Sequence, residues 1–93
     1  MIDKASQRFA ERLKAFSTDE DLIARIRVDL SDLLESFTWF SEMMKRVNFE
    51  MLTPDELEIL LAELETKFIW HSKFHLKSLS RDIQTVVDAI PDD

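Results

Sequence analysis

Between positions 23 and 47 the apolar side chains Ile23, Ile26, Leu30, Leu33, Phe37, Phe40, Met44 and Val47 recur at alternating steps of three and four. That spacing puts them on one stripe of a single long α-helix. Ser17-Thr18-Asp19-Glu20 stands just ahead of it, and a Ser with a Glu three residues on is the reciprocal capping box that starts a helix. Lys45 and Arg46 suit the negative end of the helix dipole, so the predicted span is 18–48. Upstream, Ile2, Phe9, Leu13 and Phe16 have helical spacing among charged neighbours and predict a short amphipathic helix over 2–16. Downstream, Thr53-Pro54-Asp55-Glu56 repeats the start signal with proline at the first helical position, where its missing N–H costs nothing.

The third segment, predicted over 54–90, carries Leu57, Leu61, Leu64, Phe68, Ser72, His75, Leu79, Ile83, Val86 and Ile90. Its extra steps of four drift from a heptad toward an eleven-residue repeat, so it must stutter or kink against the second helix. Short connections between long helices make them antiparallel neighbours. The expected fold is all-α, one domain over 1–93, an antiparallel helical hairpin or three-helix bundle. The alternative is a four-helix bundle in which the third segment breaks near residues 71–80.

Lengths carry the next step. A helix of some thirty residues is roughly 45 Å long, whereas a compact chain of 93 residues has a radius of gyration of only ~12 Å. The first helix can cover just half of the hairpin, the half near Leu22 to Leu34. The other half keeps more apolar side chains than two helices hide from each other, and such a surface marks an interface. The expected partner-binding set is Trp39, Phe40, Met43, Met44, Val47, Ile59, Trp70 and Phe74, with tryptophan the commonest hot spot. Two copies pairing into a bundle, a homodimer, is the favoured occupant, with another protein beside it.

Composition then removes alternatives. The chain has no cysteine and no glycine. Disulfides, thiolate metal sites and cysteine nucleophiles are excluded, as are phosphate-binding glycine loops. A net charge of −7 opposes nucleic-acid and anionic-membrane binding and favours a basic partner. The modest basic run Lys67, Lys73, Lys77 and Arg81 does not change that balance. Apolar runs are too short for a membrane span and the N-terminus lacks a signal core, so a cytoplasmic protein is expected.

Candidate chemistry is sparse. His71 and His75 stand four apart on a helix and point two imidazoles one way, and the second helix would present Asp29, Asp32, Glu35 or Ser36 at that height. Asp32 with the two histidines is the candidate metal set, two nitrogens and one carboxylate. The weightier reading is a polar layer in which Ser72 and His75 meet Asp29 or Asp32, fixing helix register. A histidine beside a carboxylate also offers a pH-sensitive interface. The many carboxylates, Asp82 included, read as a solvated face, with an acidic mimic of nucleic acid as the sharper variant. No cofactor, catalytic residue or small-molecule substrate is implied. The expected function is a non-enzymatic, small acidic helical module of adaptor, inhibitor, immunity or chaperone type. Its alternative is a small metal-dependent protein built on His71, His75 and a carboxylate.

Overall fold

The computed structural model describes residues 4–91, all helix and connecting turns with no strand among them. Helix α1 spans Lys4–Leu13, α2 Glu20–Arg46, α3 Pro54–Glu63 and α4 His71–Ala89. A single 3-10 turn, Phe49–Met51, follows α2, and a π-helical stretch, Leu64–Trp70, joins α3 to α4. The molecule measures 56 × 24 × 22 Å with a radius of gyration of 17.2 Å. That is well above the ~12 Å of a compact chain this long, so the expected elongation is present.

Local chemistry explains the boundaries. At the start of α2 the cap is Asp19, whose carboxylate accepts the Leu22 N–H at 3.1 Å. The Ser17 hydroxyl accepts the Asp19 N–H at 3.2 Å instead of capping the helix itself, so the box expected at Ser17 and Glu20 does not form and the helix begins two residues later. A carboxylate is the stronger acceptor beside a helix N-terminus, because it also meets the dipole. At α3 the box forms as expected: Thr53 Oγ1 accepts the Glu56 N–H at 3.2 Å, and the Glu56 carboxylate accepts the Thr53 N–H at 3.0 Å. The Thr53 backbone and hydroxyl together hold the Glu56 carboxyl below its ordinary range.

The third segment does not break. Glu63, Trp70 and His71 keep helical angles, with φ from −66° to −63°, and α4 runs unbroken through 71–80. The stutter is absorbed by the π stretch, a wider turn bonded i→i+5. Through it the inward side chains Leu60, Leu64, Phe68 and Ser72 follow steps of four, while α4 returns to threes and fours with Ser72, His75, Leu79, Asp82 and Val86 buried. Thr66 Oγ1 donates to the Ala62 carbonyl at 2.9 Å here, a bond that loosens a helix. Thr38 and Thr85 make the same bond within regular α-helix, so that bond alone does not account for the wide turn, in which Phe68 also packs across the hairpin. Its ring stacks on Phe40 at 4.6 Å and meets Phe37 edge-on at 5.6 Å.

The contiguous apolar core lies at one end, and beyond it Met43 is the one buried apolar side chain among the described residues. Ala10, Leu22, Ile23, Ile26, Leu33, Leu79 and Val86 form the core, with Leu13, Phe16 and Leu30 packed against it. In α1 the buried face is Ser6 and Ala10, not Phe9, which is about half exposed. Small residues let α1 approach α2 closely, since helix separation follows the side chains at the contact. Ile2, placed in this stripe from the sequence, lies outside the described residues.

Beyond Leu33 the seam departs from the expected stripe. Ser36 and Met43 are buried where Phe37 and Met44 were expected, and on α3 Leu57 and Leu61 are exposed. The apolar periodicity is drawn one residue aside because the seam itself carries polar groups, Asp29 and Ser36 on α2 facing His75 and Ser72 on α4. Among the described residues, none from 54 to 70 is buried.

Candidate functional site

The two longest helices meet antiparallel, and successive cross-seam contacts follow one another in reverse order. Arg25 meets Asp82, Asp29 and Asp32 meet His75, Ser36 meets His71, and Phe40 meets Phe68. The polar layer in the middle is built from α2 residues at positions 29, 32 and 36, three and four apart on one face, and from α4 residues at 71 and 75, four apart. Glu35 falls on the exposed side and takes no part.

Distances define the layer. His75 Nδ1 lies 2.7 Å from Asp29 Oδ1, and its Nε2 lies 3.1 Å from Asp32 Oδ2 and 2.9 Å from His71 Nε2. His71 Nδ1 lies 3.0 Å from Ser36 Oγ. Asp29 and His75 are buried, Asp32 is half-buried and His71 is exposed, so the layer opens toward solvent on the His71 side. The two imidazoles meet edge to face, and Phe74 also meets the His75 ring edge to face, at 5.5 Å. Asp32, His71 and His75 are a group, among the described residues, whose ligating atoms lie close enough together to hold one ion.

Chemistry fixes one proton. An ionised carboxylate only accepts, so the 2.7 Å bond requires His75 Nδ1–H to donate to Asp29. The neutral ring is then bare at Nε2, with the Asp32 oxygen and the His71 nitrogen converging on it. His71 closes the point in one of two ways: when Ser36 O–H donates to its Nδ1, its Nε2–H donates into the gap, and when its Nδ1–H donates to Ser36, three acceptors converge and the point can hold a proton or a metal ion.

A second buried carboxylate sits further down the seam. Asp82 is 2% exposed and accepts from Arg25 Nε at 3.1 Å and Nη2 at 3.2 Å, a bidentate pair that raises the Arg25 pKa still further. Asp29 lies in the polar layer, where it was expected beside His75, whereas Asp82, read from the sequence with the solvated carboxylates, is buried. The signal was in the spacing: 75, 79, 82 and 86 continue the threes and fours of the seam better than Ile83 does.

The predicted partner-binding residues divide. Met44, Ile59, Trp70 and Phe74 are exposed, Trp70 and Phe74 to 70% each. Trp39, Phe40 and Val47 are half-buried, and Met43 is closed inside the hairpin at 7% exposure. Trp39 and Trp70 line one shallow cleft with Glu35, Lys67 and His71. Val47 and Ile59 line another with Leu52, Leu60 and Glu56. Phe74 faces a third, on the opposite flank, beside Val28 and Arg81. The eight residues thus form no single patch.

No helix among the described residues is long and apolar enough to cross a membrane. Comparison with protein-family models, with curated proteins and with solved structures finds no match to this chain.

Proposed function

We propose that the chain is a non-enzymatic protein-binding module whose coreless end docks a partner presenting apolar side chains ringed by lysine and arginine. One observation carries this reading. From 54 to 70 no side chain is buried, although this stretch displays Leu57, Ile59, Leu61, Ile69 and Trp70, each between 44% and 70% exposed. Leu57 and Leu61 share one face of α3 and Ile59 lies on another, and large apolar side chains exposed in that number mark an interaction surface.

Charge selects the partner. Between residues 35 and 70, Glu35, Glu42, Glu50, Asp55, Glu56, Glu58, Glu63 and Glu65 stand against Lys45, Arg46 and Lys67, eight to three. Two copies would bring like charge to like charge, whereas a basic partner is attracted and steered. This ranks the basic partner above the homodimer expected from the apolar pattern alone.

The test uses a helical Leu/Lys peptide of about 20 residues as probe, with a Leu/Glu peptide of the same pattern as control. Light scattering on a sizing column reads the mass of the free protein across a hundredfold dilution. The reading expects a monomer that captures the Leu/Lys peptide and ignores the control, with capture lost in Ile59→Ala/Trp70→Ala. A concentration-independent dimer that binds neither peptide overturns it in favour of self-pairing.

A further inference from the structure

The polar layer has more order than helix register requires. Ser36–His71 and Asp29–His75 are paired at Nδ1 of each ring, and both rings turn Nε2 toward the same point. Asp32 Oδ2 completes the convergence from the facing helix. We infer that Asp32, His71 and His75 form a binding site for one divalent transition-metal ion of the zinc class, with His71 Nε2, His75 Nε2 and a carboxylate oxygen as ligands.

Three observations carry it. First, the ligating atoms lie within 4.8 Å of one another, and His75 Nε2 stands 2.9 Å and 3.1 Å from the other two. Ligands about 2 Å from a tetrahedral ion stand roughly 3.3 Å apart. The two pairs that involve His75 are thus near the spacing an ion needs, and side-chain rotation of His71 and Asp32 is left to close the third, which lies within 4.8 Å.

Second, each histidine has its remote nitrogen paired with an oxygen, a carboxylate for His75 and, for His71, a hydroxyl that is able to accept. That is the outer-shell arrangement that fixes the tautomer and aims the lone pair of a metal-binding imidazole. In the bound state Ser36 Oγ accepts from His71 Nδ1–H, as Asp29 accepts from His75 Nδ1–H.

Third, Asp29 is 5% exposed and its second oxygen is buried without a hydrogen-bond partner among the described residues. A buried carboxylate with half of its acceptor capacity unused is costly unless positive charge stands close by. An ion on the far nitrogen of the same imidazole supplies that charge through the ring. Two nitrogens and one carboxylate suit zinc, cobalt, nickel, copper or iron in the divalent state, and disfavour calcium and magnesium, which take oxygen ligands. Three protein ligands leave a coordination position open on the exposed His71 side. The site goes beyond the docking reading and stands or falls without it.

The experiment titrates the full, tag-free chain, stripped with chelator, with CoCl2 and then with ZnCl2 in competition. Visible d–d bands report four-coordinate cobalt, and calorimetry gives the stoichiometry. One ion per chain is expected, displaced by zinc, together with a zinc-dependent rise in melting temperature. His71→Ala, at an exposed position, and the near-isosteric Asp32→Asn, at a half-buried one, should abolish the bands while keeping the helical circular dichroism of the parent. Asp29→Asn should retain binding with affinity lowered about 10- to 100-fold. Because the buried His75 need not tolerate replacement, the outcome rests on the other three variants. Absence of cobalt bands and of any zinc effect on melting overturns the site and leaves a proton alone in the layer. Binding that His71→Ala and Asp32→Asn do not weaken overturns it too, in favour of scattered surface carboxylates.

Discussion

Single side chains in this protein differ in what they hold together according to which end of the hairpin they occupy. Ile26 is fully enclosed where α1, α2 and α4 converge, and truncating it leaves a cavity that the surrounding helices only partly fill. Ile26→Ala should cost about 2–5 kcal/mol in chemical denaturation. Trp70 is a larger side chain with 70% of its surface in water, and Trp70→Ala should change stability by no more than about 0.5 kcal/mol. If Trp70→Ala destabilised as much as Ile26→Ala, the coreless end would have to be packed in solution. Hydrophobic size alone ranks these two residues in the opposite order, so the comparison isolates burial.

Among helices, α3 owes least to packing, because none of its residues is buried. Its start must come from local bonds, and Thr53 supplies them. Thr53→Ala should lower stability by about 1 kcal/mol, the usual cost of a lost N-cap, and most of the lost helicity should lie in residues 54–63. The Glu56 carboxyl adds a pH dependence of known sign. Its folded pKa lies below the unfolded value, so the stabilisation is present above the ordinary carboxylate range and is lost as pH falls through the folded value. Glu56→Ala should therefore melt below the parent at neutral pH, and the two curves should merge on acidification. A difference that persisted in acid would point to something other than the ionised cap.

These helices also show what a sequence exposes and what it conceals. Thr53-Pro54-Asp55-Glu56 was legible because capping depends on neighbours three residues away. The boundary at Asp19 was misplaced by two residues because three adjacent side chains compete for the same orphan N–H groups. The irregular third stripe announced a disturbed register. Choosing a π turn over a break, however, depends on how Phe68 lodges between Phe37 and Phe40, a contact across the hairpin. His71, His75 and Asp32 were recognisable as a height-matched set. Which ring nitrogens converge depends on Asp29 and Ser36 holding the opposite ones, and no spacing rule conveys that.

As a whole the molecule is a rod with an apolar core at one end, a polar layer near the middle and a bare apolar surface at the other. Opening free energies should follow that order. In hydrogen exchange, amides around Ile26 and Leu79 should protect to the level of global unfolding, and those of residues 57–64 should exchange orders of magnitude faster. Small-angle scattering on the free chain should give a radius of gyration near 17.2 Å. A value near the ~12 Å of a compact globule would mean that the coreless end folds back onto the rest.

The wide turn at Leu64–Trp70 makes the two halves of the third helix separately adjustable. Below it, Ser72, His75, Leu79 and Asp82 are locked to α2 by the seam. Above it, α3 is attached through one relaxed turn that already holds a surplus residue. Gain or loss of a residue there turns α3 by about 100° about its axis, and a different set of side chains comes to the front. The histidine layer stays where it is. One codon inserted or deleted there can thus change which side chains this end presents, a change that in a regular helix would scramble the seam from that point on.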